Sequence, residues 1–155
     1  AAGEALGNHP VNVEIALDIP LVRTDQALMT QALANVLHNA AIYSPETAAV
    51  EICARHTEHK LRLTVRDHGP GLPAGEESRV FGKFYRAAGT PAGGTGLGLS
   101  ITRGFVEALG GSVSAWNHPE GGAVFEILLM VEAWTQEIDE ACERERAAED
   151  FAKRS

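Results

Sequence analysis

Gly93-Gly94-Thr95-Gly96-Leu97-Gly98-Leu99-Ser100 stands directly before an amphipathic run that stops at Gly110-Gly111. Glycines ahead of a helix leave its first amide N–H groups uncovered, and these groups together with the helix dipole attract phosphate oxygens. Leu99 takes the third glycine position of GxGxxG counted from Gly94, and no Lys follows as a P-loop requires. Dinucleotide-binding and Walker readings therefore both fail. The stretch is either the phosphate side of a different fold or a lid hinge without a ligand, and its surroundings must decide.

Upstream, Val11, Val13, Ile15 and Leu17 alternate as a strand that Pro20 closes. Asp25 can cap a helix whose apolar positions Met29, Ala32, Leu33, Val36, Leu37 and Ala40 recur at helical spacing until Ser44-Pro45. Val50 and Ile52, then Leu61, Leu63 and Val65, read as a hairpin joined by the polar residues 56–60. Residues 69–75 are loop, residues 76–85 a short helical stretch, and residues 87–94 a second loop. After the glycine-rich stretch come a helix over 98–109 and strands over 112–117 and 123–130. Hairpin-connected strands pair antiparallel, so the expected fold is an α/β (α+β) two-layer sandwich. Its sheet is mixed and mostly antiparallel, with helices on one face.

The 155 residues fit one domain, residues 1–131, followed by an acidic, helix-forming extension, residues 132–155. The extension's apolar stripe, Trp134, Ile138, Ala141 and Phe151, is thin. It holds eight of the 21 acids and four of the 13 bases, hence −4 of the net −8. This charge repels phosphate backbones, so nucleic acid is not an expected partner. Cys53 and Cys142 lie 89 positions apart with no CxxC motif, which argues against a zinc ribbon and a disulfide scaffold. With no run of 18 apolar residues, the expected location is cytoplasmic, without direct membrane contact by this domain.

Two further features frame the glycine-rich stretch. On a wheel of about 100° per residue, Asn35 and Asn39 lie on one edge of the first helix's apolar arc, where an amide oxygen can meet Mg²⁺ as a neutral hard ligand. A plain polar face explains the same pair. Asp67-His68-Gly69-Pro70-Gly71 ends a strand; the carboxylate can accept from an exocyclic amine while glycines let a flat ring approach, or the segment is an ordinary turn.

In this order the segments resemble the ATP-binding catalytic domain of sensor histidine kinases, within the superfamily shared with gyrase B, Hsp90 and MutL. Residues 35–43 are similar to the family's N box and residues 67–71 to its G1 box. Residues 80–86, Val-Phe-Gly-Lys-Phe-Tyr-Arg, are similar to its F box, and residues 94–99 to its G2 box. Residues 67–73 and 116–125, with Ala123 where many members have Ser or Thr, resemble KdpD-type kinases that report on potassium and turgor. The resemblance covers residues 11–130 and implies a Bergerat-type ATP-binding fold.

It further implies that ATP and Mg²⁺ are the cofactors, with Asn35 and Asn39 as metal ligands. Asp67 would hold the adenine amine, and Gly69 and Gly71 the approach of the ring. Tyr43 would line the purine pocket, and Arg86 would reach the terminal phosphates. Gly94, Gly96, Leu97, Gly98 and Leu99 would form the phosphate-side backbone, with residues 87–93 as a lid. The catalytic set would be Asn39, Arg86 and His38, where the family often has a carboxylate. The implied reaction donates the γ-phosphate to a histidine on a separate dimerisation domain, with a cognate response regulator as second partner. The parent protein would be an inner-membrane sensor kinase. One departure is Ile42, where the family usually has Lys. It leaves open a nucleotide-binding regulatory module with weak or no transfer, and a serine kinase or ATPase of the same superfamily is the more distant alternative. None of the six histidines sits in a phosphoacceptor pattern on a predicted long helix.

Overall fold

In the computed structural model, Asp25 caps the first helix from its side chain: Oδ1 accepts from the Leu28 N–H at 3.0 Å. Helix α1 runs Gln26–Tyr43 and buries Ala32, Val36, Leu37 and Ala40, the arc that the spacing predicts. It ends where the Ser44 N–H donates to the Ala40 carbonyl and Pro45 forbids continuation. The structure describes residues 6–19, 22–57, 59–86 and 95–131. The lid segment and the acidic extension of the sequence reading lie outside those residues.

The strands are β1 Val11–Ile15, β2 Val50–Thr57, β3 Lys60–Arg66, β4 Ser112–Asn117 and β5 Ala123–Met130, and helix α2 is Gly98–Ala108. They form one sheet in the order β1-β2-β3-β5-β4. Because α1 intervenes between β1 and β2, that pair can run parallel, and it does. The other three pairings are antiparallel, with Thr57 opposite Lys60 across a tight hairpin. The sheet is thus mixed and mostly antiparallel, as the sequence implies.

Both helices lie on one face. Val36, Leu37 and Ala40 of α1 and Val106 of α2 share a core with Val50, Val65, Phe125, Ile127 and Leu129. Two polar contacts join the helices: the buried Thr102 hydroxyl donates toward the Ala32 carbonyl (3.3 Å), and Asn35 Nδ2 donates to the Gly98 carbonyl (3.2 Å). Helix α2 ends in a glycine cap, with Gly110 at φ +74° and the Gly111 N–H bonded to the Val106 carbonyl.

The helix expected over residues 76–85 is only a 3₁₀ turn, Arg79–Phe81. The Arg79 and Gly82 N–H groups each bond three residues back rather than four, and Gly82 then leaves in extended conformation. Side chains hold this compact turn: Glu76 accepts from Arg79 at 2.9 Å and from the Tyr85 hydroxyl. Val80 and Phe81 are buried, and Phe81 meets Phe125 edge to face at 6.5 Å.

Candidate functional site

Asp67 follows β3 and is buried, with 2% of its surface exposed. Its Oδ1 accepts from the Gly69 N–H at 2.9 Å and the Ala123 N–H at 3.0 Å, while its own N–H donates to the Ala123 carbonyl. The carboxylate is thereby fixed between a turn and the first residue of β5. Burial pushes its pKa up, against the opposing effect of the two backbone donors and the nearby His68 and Arg66. Among the described residues Oδ2 has no hydrogen-bond partner, and Asp67 lines a cavity of about 590 Å³.

The turn beneath Asp67 depends on two glycines. A Cβ at Gly69 would stand 2.4 Å from the Tyr43 carbonyl oxygen, and one at Gly122 would stand 1.9 Å from the Asp67 carbonyl oxygen. Gly122 also has φ +82°, so both sterics and conformation favour glycine there. Ser44 completes the junction: its Oγ accepts from the His68 N–H at 3.0 Å. Gly69 is absent from the cavity lining, whereas Gly71 borders it. The bare Cα of Gly69 lets the turn pack closely on the end of α1.

The opposite wall is α1, which presents Asn35, His38, Asn39, Ile42 and Tyr43 to the cavity. The two asparagines differ. Asn35 uses both ends of its amide, with Oδ1 accepting from Gln31 at 3.1 Å and Nδ2 donating to Gly98. Asn39 has no hydrogen-bond partner among the described residues, so its amide oxygen is available to a ligand or metal. Those residues contain no cluster of three His, Cys, Asp or Glu side chains that could hold a metal ion. A divalent ion here would have few protein ligands, a donor set that fits Mg²⁺ bound chiefly by phosphate and water. Ile42 is 41% exposed at the cavity wall, as is Ile101 of α2.

Thr95, Gly96, Leu97, Gly98 and Leu99 carry the third wall into the N-terminus of α2, and Arg86 completes it. Gly94 lies outside the described residues. Phe84 has φ 61°, donates its N–H to the Gly96 carbonyl at 3.0 Å and leaves its ring 73% exposed. Behind it, burial and Glu76 push the Tyr85 hydroxyl pKa up to about 12, and Arg79 lies 5.9 Å over the Tyr85 ring.

Sequence reasoning missed two parts of the site. The Ala123 N–H that anchors Asp67 belongs to the backbone, so no side chain announces it. Asn117 pairs its amide with Leu72, accepting from its N–H at 2.6 Å and donating to its carbonyl at 2.9 Å. That bond holds the wall formed by Leu72 and Pro73; an Asn at the end of a strand, facing a Gly-Leu-Pro turn, is the signal that could have found it.

The cavity thus joins a buried carboxylate that can accept from an amine, a free amide and a helix N-terminus. The family model described as "Histidine kinase-, DNA gyrase B-, and HSP90-like ATPase" matches residues 24–133. The chain belongs to this ATPase family. Sensor protein KdpD of Escherichia coli (strain K12) is 40% identical over 123 residues, 79% of this chain and 14% of that protein. Sensor-like histidine kinase SenX3 of Mycobacterium tuberculosis (strain ATCC 25618 / H37Rv) is 33% identical over 165 aligned residues, 98% of this chain and 40% of that protein. Among solved structures, the mycobacterial sensor histidine kinase MprB is similar with a TM-score of 0.75 and 28% identity, covering 84% of this chain and 89% of that one. The ATPase domain is therefore of the kind found in two-component sensor kinases, and the chain spans less than half the length of these curated relatives. Among the described residues no helix is long and apolar enough to cross a membrane.

Proposed function

We propose that this domain binds Mg-ATP in the cavity between α1, Asp67 and the N-terminus of α2, and presents the γ-phosphate to a histidine on a separate helical dimerisation domain. The observation that carries the reading is the buried Asp67 carboxylate, held through Oδ1 by two backbone N–H groups with Oδ2 left for a ligand. Oδ2 accepts from the adenine amine, Tyr43 and Leu72 flank the ring, and the α2 N-terminus with residues 94–99 receives the phosphates. Asn39 would hold the metal through its amide oxygen, with Asn35 beside it. Arg86 meets the terminal phosphate. Mg²⁺, when bound, neutralises charge on the phosphate oxygens.

In the transfer, the bond from the γ-phosphorus to the β,γ-bridging oxygen breaks as an imidazole nitrogen bonds to phosphorus, and ADP leaves. His38, exposed at the cavity wall, would take the proton released by the acceptor imidazole. The resulting phosphohistidine supplies a response regulator. The 40% identity to Sensor protein KdpD supports a potassium- or turgor-responsive parent kinase in the inner membrane, with this domain on the cytoplasmic side. Residues 1–131 form the catalytic unit in this reading, and residues 132–155 are an acidic extension. Calorimetric titration with ATP, with and without Mg²⁺, tests the binding step. No heat at millimolar ATP, with Asp67→Asn behaving as the parent chain, removes the proposal.

One observation favours a second reading. Ile42, where the family usually has Lys, lines the cavity and is 41% exposed, so the α1 wall offers no cation near the phosphates. A regulatory module that binds nucleotide but transfers phosphate weakly has this feature. Phosphorylation of an added dimerisation domain separates the two: rapid transfer by the unmodified chain rejects the second reading.

A further inference from the structure

Two backbone segments meet at the phosphate end of the cavity. A Cβ at Gly96 would stand 2.8 Å from the Tyr85 carbonyl oxygen and 2.9 Å from the Phe84 carbonyl carbon, and Gly96 has φ +68°, so the segments touch backbone to backbone. The Phe84 N–H donates to the Gly96 carbonyl. Helix α2 begins at Gly98, just beyond this contact, and Arg86 is the residue after Tyr85. The place of the Phe84-Tyr85 peptide therefore sets where Gly96 and the base of the Arg86 side chain stand.

Glu76 fixes Tyr85 from outside the cavity, whose lining does not include it. Its two carboxylate oxygens are divided: Oε1 accepts from Arg79 at 2.9 Å and Oε2 from the Tyr85 hydroxyl. A carboxylate offers acceptors only, so it can serve both donors at once. Arg79 in turn lies 5.9 Å over the Tyr85 ring, and the phenol is held at its tip and on its face by one ion pair. The Glu76 backbone is itself anchored, its N–H donating to the Pro73 carbonyl at 3.0 Å and its carbonyl accepting from the Arg79 N–H at 2.8 Å. Buried Val80 and Phe81 pin the same turn to the core.

We propose that Glu76 is a positioning residue for the phosphate end: through the Tyr85 hydroxyl it places Gly96 and Arg86 to receive the phosphates, while touching neither nucleotide nor metal. This role rests on the reading of the cavity as an ATP site. The base end stands on separate bonds, those of Asp67 with Gly69 and Ala123, so loss of the Glu76 side chain leaves it in place.

Amide NMR titrations of the whole chain with Mg-ATP and with adenosine, which lacks the phosphates, separate the two ends. Glu76→Ala should weaken Mg-ATP binding about 10-fold, the scale of one hydrogen bond to a charged group, with adenosine binding unchanged. In the ligand-free protein the signals of Gly96 and Gly98 should move while those of Gly69 and Ala123 stay. Tyr85→Phe keeps the Glu76–Arg79 pair and the ring, so it keeps the test valid where Glu76→Ala loosens the turn. It should give the same loss, and the double variant no more than either alone. Glu76→Gln, whose oxygen can take Arg79 while its NH₂ meets the phenol oxygen, should recover most of the affinity. Tyr85→Phe binding Mg-ATP as the parent chain does, a loss shared equally with adenosine, or Glu76→Gln as weak as Glu76→Ala each overturns the proposal. A parent chain that binds neither ligand removes the ATP reading itself, and this role with it.

Discussion

The two ends of the cavity are built differently. At the Asp67 end, the carboxylate, two backbone donors, Gly69, Gly122 and Ser44 are buried or closely packed and bonded to one another. At the α2 end, Asn39 has an unused amide, Ile42 and Ile101 are exposed, and Phe84 points its ring to solvent. The first is paid for by folding; the second is completed by what binds. In the proposed mode of binding, recognition of the base is preorganised in the sheet, while phosphate and metal contacts form at the moment of binding.

Substitution at Gly122 breaks the contrast most severely. Gly122→Ala puts a methyl group 1.9 Å from the Asp67 carbonyl oxygen at a φ of +82°. We expect a loss above about 4 kcal/mol, the range of severe core lesions, read as a collapse of the thermal transition. A stable Gly122→Ala protein shows that the Asp67 end is not rigid.

Asp67→Asn separates fold from ligand. The Asn oxygen still accepts from Gly69 and Ala123, while its NH₂ faces the adenine amine, so ATP affinity should fall about 100-fold, near 3 kcal/mol, with the melting temperature equal or higher. The sign follows from the raised pKa. The folded state favours the protonated carboxyl, so this group's contribution to stability is full below its unfolded pKa. It is lost as pH rises through the folded value. Acid-to-neutral melts of Asp67→Asn should lack that loss. ATP binding to the parent chain should strengthen over the same window, as the acceptor ionises.

At the other end, Ile42→Lys adds the cation missing from the α1 wall. One charged phosphate contact is worth about 1.5–3 kcal/mol, so ATP affinity or transfer should rise about 10- to 100-fold with little change in stability. An unchanged titration shows that Arg86 already supplies the charge. Asn117→Ala gives the smallest expected effect. It removes both bonds to Leu72 and should cost about 1–2 kcal/mol of stability, with a few-fold loss of ATP affinity confined to the base end.

Much of this was legible where side chains and backbone agree. Asp25, the arc from Ala32 to Ala40 and Ser44-Pro45 fix α1 because cap, periodicity and stop coincide. The strand order of secondary elements foretells a mixed sheet, and parallel β1 follows from the helix between its partners. The helix expected over residues 76–85 shrinks to a 3₁₀ turn because Glu76 holds Arg79 and Tyr85 across a tight turn, a set of contacts that only the folded chain brings together. At the site, Asp67, Asn35 and Asn39 stand out as residue types, but the division of labour between the asparagines depends on the neighbours Gln31 and Gly98. Gly69 stands out as a turn glycine, but its close approach to the Tyr43 carbonyl depends on how the turn packs on α1.

The bond from the Phe84 N–H to the Gly96 carbonyl ties together the two points at which the segment between them departs and returns. With the ends already joined, doubling the intervening length costs only about 0.6 kcal/mol of closure entropy. Insertions there would leave Asp67, the sheet and both helices undisturbed. That makes this the position in the domain where evolution or engineering can graft new sequence beside the phosphate end at almost no thermodynamic penalty to the fold.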